Sequence, residues 1–589
     1  DPEAEPLRSR KAGLRLDRHD RRPKEVLIMA PRSFPAVAVI ADAHFHDTGA
    51  DFGFAGIKMG GHHITMRSWS DTRQSTRVFN ESADALRAAL DQVARRGIRH
   101  VVLLGDYTDD GQRATTETLR GLLQVHSDSH GTAFYALPGN HDIFGPAGRH
   151  HTKEFLGEGA ISLSVSSDAA IAGENIIVSE NMYCEGYPRG LNPMAAFGYF
   201  RQPEYRHWET PFGASDAVED RIYTVTSPDG RNAYSLMDAS YLVEPEPGLW
   251  LLMIDANVFE PRDGSFELVE EAAFIDSTAA GWNGMLRSKR FIFDWITDVS
   301  LRARKLGKTL LAFSHYPALD PFDGATGAEG VLFGETNVVR RTPVKAVGDA
   351  LIAAGVTVHF SGHLHVEGVT RRGSSDRSVT NIAVPSLVAF PPAFKVVQAS
   401  QQEITVETVE LSALPVNDRL CEGYYRETEV SREKVDPAFS AGDYGTFLRQ
   451  HKRALVRHRY FVKEWPADIV RAIGDKSVLE MIAPLVGSSG GVAAEFDSAA
   501  DLPMFELIAD WYCLRQGASL ALAHIEPERL ILYRSLALRL GHEPSTHDGS
   551  LPSFLGIFFG ALGLFLDRAE GGSECLTLPF PVLGDVVPA

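Results

Sequence analysis

"HVVLLGDYTDDGQ" (residues 100–112) runs from the apolar stretch Val101–Leu104 straight into Gly105 and three acids, Asp106, Asp109 and Asp110. A short apolar run ending at a glycine reads as a strand buried on both faces. Acids placed at its end are costly unless cations or hydrogen-bond donors meet them. The same arrangement recurs in "AVAVIADAHFHD" (36–47), "TAFYALPGNHD" (132–142), "TLLAFSHYP" (309–317) and "VTVHFSGHLH" (356–365). Each apolar run ends in His, Asp or Asn.

Helices separate these strands. "NESADALRAALDQVARR" (80–96) puts Leu86, Leu90 and Val93 on one face, with Asn80 or Ser82 as cap and Gly97 as stop. "TTETLRGLLQVH" (115–126) is a second helix. The alternation resumes at "LWLLMIDAN" (249–257) and a helix near 287–305, and "SVTNIAVPSLVAF" (378–390) and "QEITVETVEL" (402–411) close it. Strand–helix alternation with apolar strands predicts an α/β core with covered sheets. In such sheets the carboxyl ends of the strands open into one crevice, so the five polar segments can meet. Carboxylate, amide and imidazole donors without thiolates suit Mn, Fe, Zn or Co, and argue against a structural zinc site.

With 589 residues, 44% hydrophobic and 23% charged, the chain reads as globular and multi-domain. The net charge of −19 argues against a dedicated nucleic-acid binder but not against phosphate substrates, because bound cations dominate a local field. Cys184, Cys421, Cys513 and Cys575 form no CxxC pair, which favours a reducing compartment. With no early apolar segment resembling a secretory signal, a cytoplasmic location is expected. Residues 1–28 are polar, and Met29 reads as the natural start. "SFLGIFFGALGLFL" (553–566) falls short of the roughly 20 residues of a membrane span and reads as a buried or interface helix.

Residues 1–33 are thus expected to be a tail and 34–411 a catalytic domain. Within the latter, the Gly-, Pro- and aromatic-rich 143–248 reads as an insertion or cap. Residues 412–589, with "PMFELIADWYCLRQ" (503–516) and "PERLILYRSLALRL" (527–540), read as a mainly helical domain, with an oligomer surface, a cap and a partner dock as its open roles.

Taken in order, Asp42-x-His44, Gly105-Asp106-x-x-Asp109, Gly139-Asn140-His141-Asp142, His315 and Gly362-His363-x-His365 resemble the five signature blocks of the calcineurin-like metallophosphoesterase superfamily. The resemblance spans roughly 36–410 and implies a four-layer αββα sandwich around two metal ions, Mn, Fe or Zn. It implies Asp42, His44 and His365 on the first ion, Asn140, His315 and His363 on the second, and Asp106 bridging both. His141 would be the general acid or transition-state stabiliser, Asp142 would orient it, and Asp109 would order the loop by hydrogen bonds. A water activated between the ions would attack phosphorus in line.

The Ser/Thr phosphatases of the superfamily carry a phosphate-binding Arg where this chain has Asp110, and G-N-H-E in place of "GNHD". The pattern is closer to the phosphodiesterase branch acting on small phosphoesters. A phosphomonoesterase or pyrophosphatase with the same site, and a binding or scaffold protein that keeps the fold without turnover, are the alternatives.

Other residues have plainer readings. Arg67, Arg73 and Arg77 read as a solvated helix face, His46, His62 and His63 as loop residues near the pocket, and His359 as a packed strand residue. Arg189, Arg201 and Arg206 stand among aromatics in the insertion, where cap packing and leaving-group binding are equally expected. "GSSGG" (487–491) satisfies G-x-S-x-G but lies in a helix-rich Gly/Ser loop, and a linker explains it.

Overall fold

The first sheet is built from the strand–helix alternation at the start of the chain. In the computed structural model, which describes residues 32–486, 501–543, 548–572 and 575–580, β1 (Val37–Ile40), β2 (His100–Leu104) and β3 (Ala133–Leu137) run parallel. The later strands are β4 (His207–Glu209), β5 (Tyr241–Glu246), β6 (Leu249–Ile254), β7 (Thr309–Ser314), β8 (Val358–Ser361), β9 (Gly368–Gly373), β10 (Ser378–Ala383), β11 (Ala393–Ala399), β12 (Glu403–Glu410) and β13 (Cys575–Pro579). They form a six-stranded sheet ordered β13-β12-β11-β1-β2-β3 and a seven-stranded sheet ordered β9-β10-β8-β7-β6-β5-β4.

The two sheets face each other, and helices cover their outer faces. β6 shows why its sequence is unbroken apolar: Leu251 and Met253 enter the core between the sheets. Trp250, Leu252 and Ile254 pack outward against Ile292, Ile296, Val299 and Leu351. The first sheet is covered by α1 (Ser82–Arg95), which buries Leu86, Leu90 and Val93, and by α2 (Arg113–His130). The second is covered by α3 (Phe291–Lys305) and α4 (Lys345–Ala354). This is the four-layer αββα architecture.

Within 143–248, a three-stranded sheet (Thr152–Leu156, Ser162–Ser166, Ile176–Val178) stands apart, whereas β4 and β5 join the second sheet itself. The C-terminal helices α5 (Asp418–Ser431), α6 (Tyr444–Leu455), α7 (Met504–Gly517), α8 (Pro527–Leu540) and α9 (Leu551–Glu570) share one apolar cluster with the sheets. β13 returns to pair with β12, Thr405 opposite Thr577. By length and composition α9 is apolar enough to cross a membrane, but 56% of that window is buried in the fold, with Phe558 stacked 5.2 Å from Trp511. Met29 and the 487–491 segment lie outside the described residues.

At the α5–α1 contact the Tyr424 hydroxyl donates to Glu81 Oε1 (2.8 Å), while Glu81 Oε2 is buried without a partner. Burial pushes the Glu81 carboxyl up from 4.5 to about 7. A raised folded-state pKa means that stability is fully present at low pH, where the group is protonated folded and unfolded. That stability is lost as pH rises through about 7. Glu81→Gln is therefore expected to gain up to about 3 kcal/mol relative to wild type between pH 5 and pH 8. Denaturant unfolding at both pH values measures it, and an unchanged difference between the two proteins would refute it.

Candidate metal centre

Every block of the site begins where a parallel strand ends: β1 leads to Asp42 and His44, β2 to Asp106, β3 to Asn140, β7 to His315 and β8 to His363. Of nine non-glycine residues with positive φ among the described residues, five are Asp42, His44, Asp106, His363 and His365. Left-handed backbone costs an L-residue about 1 kcal/mol or more and persists only where the surroundings impose it, so strain is concentrated here. Two glycines make the close approach possible. A Cβ on Gly105, itself at φ +78°, would lie 2.5 Å from His315 Nδ1, and one on Gly139 would collide with the Asp106 carboxylate.

The seven candidate ligands are all buried. Asp42, His44 and His365 form one group, and Asp106, His315 and His363 another, each with its ligand atoms within 4.8 Å of one another. His44 Nε2 lies 3.1 Å from His365 Nε2, and His363 Nδ1 lies 3.2 Å from His315 Nε2. Neighbouring nitrogens on one ion, each at about 2.0–2.1 Å from it, stand roughly 3.0–3.4 Å apart, which is the spacing seen. Asp106 Oδ2 is 3.2 Å from His315 Nε2 in one group and 3.7 Å from His44 Nε2 in the other. A single oxygen thus faces both. Asn140 Oδ1 is buried with no hydrogen-bond partner, an unmet acceptor that a cation would satisfy. The residues fit a pair of hard or borderline divalent ions.

The electrostatics agree. Burial opposes ionising Asp106, but His315 and His141 hold it well below the usual carboxylate range. Burial likewise opposes a charged His315, yet Asp106 drives it up to about 9. Burial pushes His44 and His363 strongly down, leaving neutral rings with lone pairs available.

Around His141 the structure corrects the expectation for Asp142. The carboxylate at its ring is Asp110, with Oδ1 2.5 Å from Nδ1. Asp142 instead turns beneath the preceding loop and accepts from Thr108 N (2.9 Å), Thr108 Oγ1 (2.7 Å) and Gly139 N (2.8 Å). Burial, then Asp106, raises it to about 7. It braces the loops that carry Asp106 and Asn140. Asp109, fully buried, has Oδ2 3.1 Å from Arg67 Nη1 and Oδ1 2.8 Å from Arg77 Nη2. Burial opposes its charge, but Lys153, Arg77 and Arg67 keep it ionised.

The expectation of a solvated arginine face therefore fails for Arg67 and Arg77, which are 2% and 7% exposed because Asp109 draws both inward. Arg73 pairs with Glu433 at 2.7 Å. Arg77 Nη2 also comes within 3.3 Å of His141 Nδ1.

Three residues near the site carried no signal in the sequence. Lys153 and His151, at the edge of the small three-stranded sheet, both meet Asp110 Oδ2, the latter at 3.2 Å. Arg341 has no carboxylate within ion-pair distance among the described residues. It donates to Thr278 Oγ1 (3.2 Å), next to Ser277, whose carbonyl accepts from the Tyr316 hydroxyl (3.1 Å). The Tyr316 ring lies 4.3 Å from that of His363. His46 is buried, its Nε2 3.0 Å from Thr65 O, whereas His62 and His63 are exposed. His359 packs inside β8, 2.8 Å from Ser314 Oγ. Arg189, Arg201 and Arg206 are exposed.

Residues 35–211 match the family model described as calcineurin-like phosphoesterase. No curated protein matches the chain. Among solved structures, a dimetal phosphatase from Danio rerio is similar at 16% identity, covering 64% of this chain and 96% of that one, with a TM-score of 0.35.

Proposed function

With a calcineurin-like phosphoesterase match over residues 35–211 as the premise, we propose that this protein is a two-metal phosphoester hydrolase that prefers diesters. One observation carries it: Asp106 Oδ2 lies between two buried ligand groups, 3.2 Å and 3.7 Å from a nitrogen of each. Asp42, His44 and His365 would hold one ion and Asn140, His315 and His363 the other. When bound, the ions would supply Lewis-acid charge and the means to deprotonate a water near neutral pH.

The chain's own residues do the rest. The His141 side chain is 23% accessible, whereas the candidate ligand rings are buried, and its Nδ1 is fixed against Asp110. Nε2 is left to deliver a proton to the leaving oxygen. Burial and then Arg77 pull this imidazole down to about 3, while Asp106 and Asp109 pull the other way. An arriving phosphate anion adds to the side of these carboxylates and so favours the protonated ring.

The diester preference follows from counting cations. Arg67 and Arg77 are committed to Asp109, and Lys153 to Asp110. Among the described residues, Arg341 is a cation near His363 with no carboxylate in ion-pair range, and a single such charge matches a monoanionic diester better than a dianionic monoester. Hydrolysis of bis-p-nitrophenyl phosphate and p-nitrophenyl phosphate, with Mn and with chelator, tests the reading. The diester is expected to have the higher kcat/KM, with activity abolished by chelator and restored by Mn. A higher kcat/KM for the monoester would assign the phosphomonoesterase alternative. Turnover of neither, with two ions bound, would make the protein a binding module.

A further inference from the structure

We propose that Gln516 is a positioning residue for both metal sites, holding the His363–His365 loop from the C-terminal helices. This rests on the two-metal reading above. The loop gives one imidazole to each ligand group, and both histidines adopt left-handed backbone, at φ 72° and 56°. Such a turn between two ligands needs an external constraint to stay in one conformation. On the β1 side, the His363 N–H donates to Asp42 Oδ2 at 2.9 Å.

On the opposite side the constraint comes from α7. Gln516 Nε2 donates to Leu364 O at 2.7 Å and also to His365 O, and the Glu367 N–H donates to Gln516 O at 2.8 Å. Both protons of one amide are thus used on consecutive carbonyls of the ligand loop. Gln516 is 4% exposed, so water does not compete for these bonds.

The end of α7 is itself anchored. Arg515 makes a buried two-point pair with Glu329, at 2.6 and 2.8 Å, and Arg568 of α9 donates to the carbonyls of Leu514 and Arg515. A rigid segment therefore presents the amide, as partners that orient metal ligands from outside the coordination sphere must. The C-terminal helices lie outside the family match, so this contact gives them a role in loading the centre.

The test uses the full chain. Gln516→Met keeps the length and removes both donors. Mn affinity, measured by competition with a chelating dye, is expected to weaken about 10–100-fold, the range for partners of metal ligands. The visible spectrum of the Co(II)-substituted protein should shift as the imidazoles reorient. Arg453→Met, which breaks the pair with Glu506 near the other end of α7, is the structural control: it should lower thermal stability and leave the cobalt spectrum unchanged. Gln516→Asn, which withdraws the amide by one methylene, gives a second variant should the first not fold. Wild-type Mn affinity and spectrum in either folded Gln516 variant would overturn the proposal. A wild-type protein that binds no Mn would instead overturn the two-metal reading itself.

Discussion

Asp106→Ala is expected to leave a folded protein that retains neither ion through dialysis and shows turnover at background. Among the described residues its Oδ2 is the one carboxylate oxygen within 4 Å of an imidazole nitrogen in each ligand group, so its removal takes a ligand from both sites. Where the ions supply several kcal/mol of transition-state stabilisation, the loss is at least about 10³-fold. Stability gives an independent readout. A ligand that binds only the native state stabilises it by about 2.7 kcal/mol at 100 times its Kd, so Mn should raise the Tm of wild type and not of the variant. Without metal the variant should be less stable than wild type, because alanine takes from buried His315 the carboxylate that drives it up to about 9. Two retained ions by elemental analysis, or more than a tenth of wild-type activity, would end the bridging role.

The sequence was informative where chemistry follows a strand in the chain, and silent where contacts cross between elements. Asp42, Asp106, Asn140, His315 and His363 each stand one to three residues beyond the end of a strand, so the local pattern led to the place where the fold brings them together. Asp142 and Asp110 show the limit of adjacency. Asp142 is next to His141 in the chain, but backbone N–H groups at Thr108 and Gly139 turn its carboxylate away, and Asp110 reaches the ring instead. Arg67 and Arg77 looked like surface charge because nothing local distinguishes a solvated arginine from one drawn onto a buried acid.

The helical C-terminal part was legible as helices. Its integration was not. α7 is buried continuously from Leu507 to Gly517, the mark of a helix enclosed on all sides, and its partners in the catalytic sheets are distant in the chain. Gln516 within that stretch reads as an ordinary helical polar residue until the ligand loop is placed against it.

His141→Ala should separate chemistry from metal binding. The main-chain N–H of His141 donates to Asp106 Oδ1 at 2.7 Å, and that bond survives the substitution. Both ions should therefore remain, with the Co(II) spectrum close to wild type. The lost imidazole should lower kcat by about 10²–10⁴-fold, the range for a positioned general acid. Asp110→Asn is expected to cost less, because it leaves the ring in place and alters only the partner of Nδ1. Leaving-group dependence then identifies the proton's destination. A catalyst that protonates the leaving oxygen matters most for a basic alkoxide and least for p-nitrophenolate, so the deficit of His141→Ala should widen on alkyl phosphodiesters. An equal deficit on both substrates would place His141 in stabilising the phosphoryl oxygens instead. Loss of the ions in this variant would mean that the side chain, and not its backbone, holds Asp106 in position.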